Sequence, residues 1–436
     1  MENKFKLIAG IIGGIIFVIL AFFLIKVLIG KKIIEKINLT FWSYQDEEAD
    51  LKPIIDTYTK KHPNISITLK KIENTPGEYE KMMTDAIASG EGPDILQIRN
   101  DWVPKHYKKI TAVPSSTYSK GDFEKIFQKI ANTDLIYNDK IYAIPFYVDT
   151  LAIFYNQKAM GDKVFEPSDT WENFKSSIKK IRNLKGDYIN KAAIAIGTAD
   201  NVEYSQDILY MLMLQNNTQM VSDDKGKAYF NISTKDKNGN IVYPGTSALE
   251  FYASFSDPTK ETYTWRKGMP NSIEAFTSGK TAMMFGYAAD IRRIKKLTNE
   301  KLKFEVATAP QILGNKVYYA KYWAYSVNKN SKNQKTAWDF LKFATTKEQY
   351  RKYIEKTSLP SSMIEFSESQ GGKYAVIFNK QTKDAKTWFK GDWEKTDNAF
   401  SELINNITVN KQGPQDAINT ASKKVTDILE NMKENN

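Results

Sequence analysis

Hydrophobic positions fall into three regimes along the chain. Leu7 to Ile25 is an unbroken run of 19 apolar or glycine residues, and past Lys26 it continues through Val27, Leu28 and Ile29. At a rise of ~1.5 Å per residue this crosses a hydrocarbon core of roughly 30 Å. A secretory signal has a shorter apolar region of about 7–15 residues ended by small residues, whereas Gly30-Lys31-Lys32 follows here. The pattern predicts an uncleaved transmembrane anchor over 7–29, with residues 1–6 before it and a linker over 30–36. From Ile37 the period changes. Residues 38–42 read as a strand, 49–61 as a helix closed by His62-Pro63-Asn64, and 65–72 as a second strand. A helix over 78–89 ends at Gly90, and the apolar run 94–98 follows. The same alternation recurs with strands over 140–155, 192–197, 280–285, 304–309 and 324–327, helices over 171–184, 205–214 and 271–279, and a polar hairpin or loop over 223–242. Alternating strands and helices predict α/β sheets with crossover connections. From Thr336 onward the pattern is helical, broken at Pro360, Gly371-Gly372 and Gly413-Pro414.

With 436 residues, 42% apolar and 13% aromatic, the chain can fill two or three domain cores. It has no cysteine, which excludes disulfides, thiolate chemistry and a lipid-modified cysteine anchor. Two histidines, His62 and His106, supply a multi-histidine metal site poorly, and neither a metal nor a cofactor is expected. The formal charge of +11 includes +4 from residues 1–36, and the remaining lysines are scattered through helical stretches such as 176–185. That is the distribution of solvated faces, and no nucleic-acid partner is expected. Ser278-Gly279-Lys280-Thr281 ends like a phosphate-binding loop, but Glu274 stands where that loop needs its first glycine, so Gly279 is read as a helix C-cap.

In order along the chain come Phe41-Trp42-Ser43-Tyr44, Gly90-Glu91-Gly92-Pro93-Asp94-Ile95-Leu96, Tyr142 to Thr150 leading into Phe154-Tyr155-Asn156, Thr170 to Phe174, Ala275 to Met284, Ser326 to Lys332 and Ala337 to Phe343. Over about 390 residues this succession resembles the extracellular solute-binding proteins of ABC importers, in the large family that includes maltose-binding protein. The resemblance implies an α/β, two-lobed periplasmic-binding-protein-like fold of type II, with mixed sheets flanked by helices. Lobe one would comprise 37–147 and 308–348, and lobe two 148–307 and 349–436. It also implies a binding protein and not an enzyme, capturing a small polar solute, a sugar above all, and delivering it to an ABC-transporter permease. The lysines after the apolar run would by themselves hold the large domain inside. Long domains translocate largely regardless of such charges, and the resemblance implies a single-pass membrane protein with its binding domain on the extracytoplasmic side.

Sugars present flat C–H faces and hydroxyl rims, so their sites combine aromatic platforms with fixed donors and acceptors. Open α/β sheets bind ligands where strands run out into loops. The candidates are therefore Trp42, Tyr44 and Gln45 after the first strand, and Asn100, Asp101 and Trp102 after the run 94–98, with Trp102 expected to be exposed. Tyr147 and Asp149 lie at the first crossover. Tyr204, Trp265, Gly286 and Tyr287 would contribute from lobe two, and Trp323 and Trp393 complete the set. Asp46, Glu47 and Glu48 form an acidic run that would suit either a helix N-terminus or a glycan hydrolase. Hydrolase turnover, or salt-dependent polymer binding by an adhesion module, would mark the two alternative functions.

Overall fold

The computed structural model describes Gly10 and residues 13–22, 35–160, 170–367 and 372–434. Residues 13–22 are helical and largely exposed. No helix among the described residues is long and apolar enough to cross a membrane. The rest of the expected span over 7–29 lies outside the described residues.

Ten strands build two five-stranded sheets: β1 (Ile37–Ser43), β2 (Ile65–Lys71), β3 (Ile95–Arg99), β4 (Ile144–Pro145), β5 (Ala152–Tyr155), β6 (Asn183–Lys185), β7 (Tyr188–Ala195), β8 (Thr281–Gly286), β9 (Glu305–Thr308) and β10 (Trp323–Val327). The first sheet has the order β2-β1-β3-β10-β4, with β1 parallel to β2 and β3 and β10 antiparallel to β3 and β4. The second runs β9-β5-β8-β7-β6, with β8 parallel to β7 and antiparallel to β5. Alternation in β1 buries Leu39, Phe41 and Ser43 and leaves Asn38 and Thr40 exposed, as a period of two requires. β3 is buried throughout, as suits a central strand covered on both faces.

Two hydrophobic cores correspond to the two sheets. The first gathers Leu39, Phe41, Leu51, Ile54, Ile98, Tyr350 and Ile354 and reaches one face of the second sheet at Phe154 and Met284. The second takes the opposite face of those strands, Ile153, Met283 and Phe285, with Phe174, Ile178, Leu212, Phe400 and Val425. The helix Lys347–Thr357, most of which the resemblance assigns to lobe two, packs against Glu48–Lys61 within the first core. Three segments run side by side between the sheets: Leu151 N–H donates to Tyr319 (2.9 Å), Ala320 N–H donates to Lys386 (3.0 Å), and Tyr318–Tyr319 pairs with Ala385–Lys386.

The expected helix 171–184 ends at Ile181, because the chain turns through Gly186 (φ +58°) and folds β6 back on β7 as an edge hairpin. Gly279 (φ +76°) follows the helix Ser272–Thr277 in left-handed geometry and leads into β8, as a C-cap should. Glu47 caps the helix Glu48–Lys61 in a reciprocal box with Asp50, which accounts for part of the acidic run by helix capping.

Candidate functional site

The first lobe brings its strand ends and one helix together as a ring cluster. Trp323, opening β10, lies 4.3 Å from Tyr44 and 5.1 Å from Trp102 between ring centroids. Tyr79, from the helix Pro76–Ser89, lies 5.1 Å from Tyr44 and 6.0 Å from Trp102. Trp393, at the start of the helix Trp393–Thr408, joins them nearly parallel to Trp102 at 6.1 Å. The Arg99 guanidinium sits 3.9 Å above the Trp393 ring, a cation–π contact strengthened by exclusion of water. Trp393 Nε1–H donates to Glu80 Oε2 at 2.7 Å, and Lys105 Nζ bridges Glu80 (2.9 Å) and Asp392 (3.2 Å). Arg292 grips Asp50 with two bonds of 2.8 and 3.0 Å. These contacts hold the lobes together.

Behind the rings lies a charged network. Arg99 donates to both oxygens of Asp101 at 2.6 and 2.7 Å, and Lys390 reaches Asp101 (2.8 Å) and Asp397 (3.2 Å). Arg99 and Lys390 are each 2% exposed, so every charge there depends on its partner. Burial opposes ionisation of Asp101, yet Arg99 and Lys390 hold its carboxyl well below the usual range. Burial likewise works to raise Glu80, but His106 and Lys105 bring it down to about 2. Lys321 pairs with Asp207 at 2.6 Å, and Tyr287 Oη donates to the same carboxylate at 3.0 Å. Trp102 Nε1 and Asp207 Oδ1 are buried and meet no partner among the described residues. Beside these groups opens a cavity of about 880 Å³, lined by Glu78, Arg99, Tyr204, Lys321, Trp393 and Asp397 among others. That volume lies in the range of ligand sites.

The structure thus brings Tyr44, Asp101, Trp102, Trp323 and Trp393 together, with Tyr204 and Tyr287 across the gap, where Tyr204 Oη donates to Asp290 at 2.9 Å. Trp102 is fully buried; its neighbours Tyr79, Trp323 and Trp393 come from remote segments, and this corrects the expectation of exposure. Gln45 is held by its backbone N–H, which donates to Gln97 Oε1 at 2.7 Å. Asn100 ties Tyr322 N–H to Asp134. Tyr147 is a buried crossover residue bridged to Ser361. Asp149 accepts from the backbone N–H groups of Thr150 (2.9 Å), Ala288 (2.9 Å) and Ala289 (3.0 Å), so it pins the turn after β8 to the crossover. Two tryptophans stand apart. Trp42 is half-buried beside Lys70 at the β1–β2 pair, and Trp265 is buried in the second core, donating to Asn201 at 3.1 Å. Gly286 makes room for Phe154: a Cβ there would stand 2.9 Å from that ring.

Tyr79, Glu80, Arg99, Asp207, Lys321, Lys390 and Asp397 were not legible as site residues. Arg99 carried the best signal, being one of six arginines in a lysine-rich chain and ending a strand next to a carboxylate.

Burial raises four carboxyls: Asp46, and with it Asp134 to about 7, Asp149 to about 8 and Asp290 to about 6. The folded state therefore holds these protons more tightly than the unfolded chain, whose carboxyls titrate near ~3.9. Their contribution to stability is complete below about pH 4 and is lost as pH rises through the folded values. Glu80, shifted the opposite way, titrates below that window. Thermal unfolding is expected to show stability falling steadily from pH 5 to 8.5, and Asp134→Asn to flatten the fall; a chain more stable at pH 8.5 contradicts this.

Residues 53–380 match the family model for bacterial extracellular solute-binding proteins. The chain belongs to that family. Family members bind solutes; they are not a class of enzymes. The chain is 21% identical over 404 residues to the multiple sugar-binding protein of Streptococcus mutans, covering 88% of this chain and 90% of that one. It is 22% identical to a maltooligosaccharide ABC transporter solute-binding lipoprotein of Streptococcus pneumoniae, covering 91% and 89%. Among solved structures, the cyclic α-maltosyl-1,6-maltose binding protein of Arthrobacter globiformis superposes with a TM-score of 0.73 at 17% identity, covering 90% of this chain and 99% of that one. A solute-binding protein of Thermotoga lettingae bound with α-D-tagatose gives 0.72 at 18% identity, covering 90% and 99%. These likenesses establish the two-lobed α/β fold of maltose-binding protein.

Proposed function

We propose that this solute-binding protein captures a sugar or short oligosaccharide between its lobes, outside the cell, for import by an ABC-transporter permease. The observation that carries the reading is the aromatic cluster Tyr44, Trp102, Trp323 and Trp393 at the lobe junction, beside a cavity of about 880 Å³ with hydrogen-bonding groups on both walls. Trp393 and Tyr204 line the cavity and supply faces for sugar C–H surfaces, the other rings backing Trp393, while Glu78, Lys321, Asp397 and Asn398 supply partners for hydroxyls. Relatives named for binding multiple sugars and maltooligosaccharides support the choice of ligand.

In this reading lobe one spans about 37–147 and 308–366, taking in Lys347–Thr357 because that helix packs on Glu48–Lys61. Lobe two spans about 148–307 and 367–436. Trp393 and Tyr204 line the cleft, with Asp101, Trp102, Tyr287 and Trp323 packed behind it, and Tyr147 and Asp149 set its hinge. The apolar run 7–29 tethers the chain in the membrane, keeping it near its permease and raising its effective concentration there. A ligand with contacts on both walls favours the closed arrangement in proportion to its differential affinity.

The full chain in detergent, titrated with glucose, maltose, maltotriose and mannobiose, is expected to gain thermal stability with at least one of them and to convert none into product. Stabilisation by oligopeptides alone would overturn the sugar assignment, and release of shorter sugars would restore the hydrolase reading.

A further inference from the structure

An open groove of about 820 Å³ lies on the second lobe at the pole away from the cleft. Strand direction puts it there. β5 leaves the crossover at Leu151, bonded to Tyr319, and runs out to Asn156 and the short helix Gln157–Met160, roughly 16 Å away at ~3.3 Å per residue. β8 starts at the same pole, after the helix Ser272–Thr277, and runs back to Gly286 beside Ala152. β9 runs back likewise, and the stretch before it, from the end of the helix Asp290–Leu297 to Lys303, closes the groove. No groove residue lines the cleft cavity.

Three features of the lining ask for a partner. Lys158, Lys301 and Lys303 are exposed and meet no carboxylate among the described residues, and Lys280, Lys295 and Lys296, close by in sequence, are exposed and unpaired in the same way. Against them stand Glu274 and Glu300, while Glu305 is taken by Lys373. Among these cations lies apolar surface: Leu297 is 60% exposed, beside half-buried Leu302. Asn156 is 5% exposed; its Oδ1 accepts from Ala159 N–H at 3.2 Å, and its Nδ2 meets no acceptor among the described residues. Buried amides are ordinarily satisfied by protein, water or ligand.

A bare polyanion would pair with the lysines and leave Leu297 in water. An acidic peptide matches all three features, with carboxylates for the lysines, an apolar side chain for Leu297 and a backbone carbonyl for Asn156 Nδ2. An apolar centre inside a charged rim is the anatomy of a protein interface, and opposite charge fixes its register. A bilayer is disfavoured by position. β1 begins at Ile37 and delivers Tyr44 to the rings at the lobe junction, so the tether proposed above enters at the far pole of the first lobe, the other end of the molecule from the groove.

We propose that this groove docks an acidic segment of a partner protein, one carrying an apolar side chain between its carboxylates, whether or not the cleft holds a ligand. The preference over a lipid surface rests on the tether; the site itself rests on the lining of the groove.

The test is fluorescence anisotropy of a labelled, capped hexapeptide, Glu-Leu-Glu-Glu-Leu-Glu, titrated with the full chain in detergent. Wild type is expected to bind it, more weakly as salt rises. Lys301→Glu with Lys303→Glu is expected to weaken binding about tenfold or more, and Leu297→Ser about threefold. Lys125→Glu with Lys129→Glu, which makes the same change of net charge on exposed positions of the first lobe, is expected to leave binding within about twofold, because charges beyond a Debye length are screened. No binding by wild type, or equal loss in both double variants, overturns the proposal. So does binding of polyphosphate or of phosphatidylglycerol vesicles that exceeds that of the peptide and ignores Leu297→Ser, since the groove would then serve a polyanion or a lipid surface. The sugar titrations described above are expected to be unchanged in the groove variants; their failure in wild type would count against the sugar reading and leave the groove standing.

Discussion

Asp101→Ala is expected to destabilise the protein by about 3–5 kcal/mol, the scale found when one partner of a buried ion pair is removed. Asp101 accepts both bonds of the Arg99 fork and the Lys390 ammonium. Without it, two cations that are each 2% exposed remain, with Asp397 as the nearby carboxylate bonded to Lys390. The cost exceeds that of any single surface pair in the chain, since exposed pairs contribute about 0–1 kcal/mol. Urea unfolding of the full chain checks the prediction. Adding Lys390→Met to Asp101→Ala is expected to recover part of the loss, because it removes one uncompensated charge; strictly additive losses would show that the network is not coupled. The two lobes need not unfold together, so the transition is best followed with two probes.

Trp393→Ala is expected to weaken binding of whichever probe sugar stabilises the protein by about 30–100-fold, equivalent to roughly 2–3 kcal/mol. The indole spans the lobes: its ring carries Arg99 at 3.9 Å and lies over Trp102, and its Nε1 donates to Glu80. Truncation removes contacts that exist only when the lobes are together, so the closed population falls and apparent affinity falls with it. It also removes one wall of the cleft. Small-angle scattering is expected to show a more open particle, while the two cores, to which Trp393 contributes only at the rim, retain their secondary structure. Unchanged affinity together with unchanged dimensions would remove Trp393 from both roles.

Much of the architecture could be read from local pattern. Strand β1 announces itself by alternation, β3 by a short apolar run after Pro93, and the helix before β8 by its glycine cap. Each of these depends on residues a few positions apart, where steric preference and burial period act directly. The pattern hides the hairpin β6–β7, because the apolar residues of the preceding helix continue in phase through Leu184. Only pairing with a strand inside the second sheet turns those last residues into an edge.

The site was legible only in part, for a different reason. Trp102 and Trp265 both follow polar stretches, and nothing local distinguishes them. Trp102 stands at the lobe junction because Tyr79, Trp323 and Trp393 converge on it from segments up to about 290 residues away, while Trp265 is drawn into the second core by Asn201 and the residues around β7. The sequence by itself determined the class of fold, the order of its elements and the aromatic wealth of the strand ends, since these follow from periodicity and turn chemistry along the chain. Which rings meet, which charges cancel inside the junction and where space is left for a guest were decided by tertiary structure alone, because burial and electrostatic pairing belong to neighbours in space and not to neighbours in the chain.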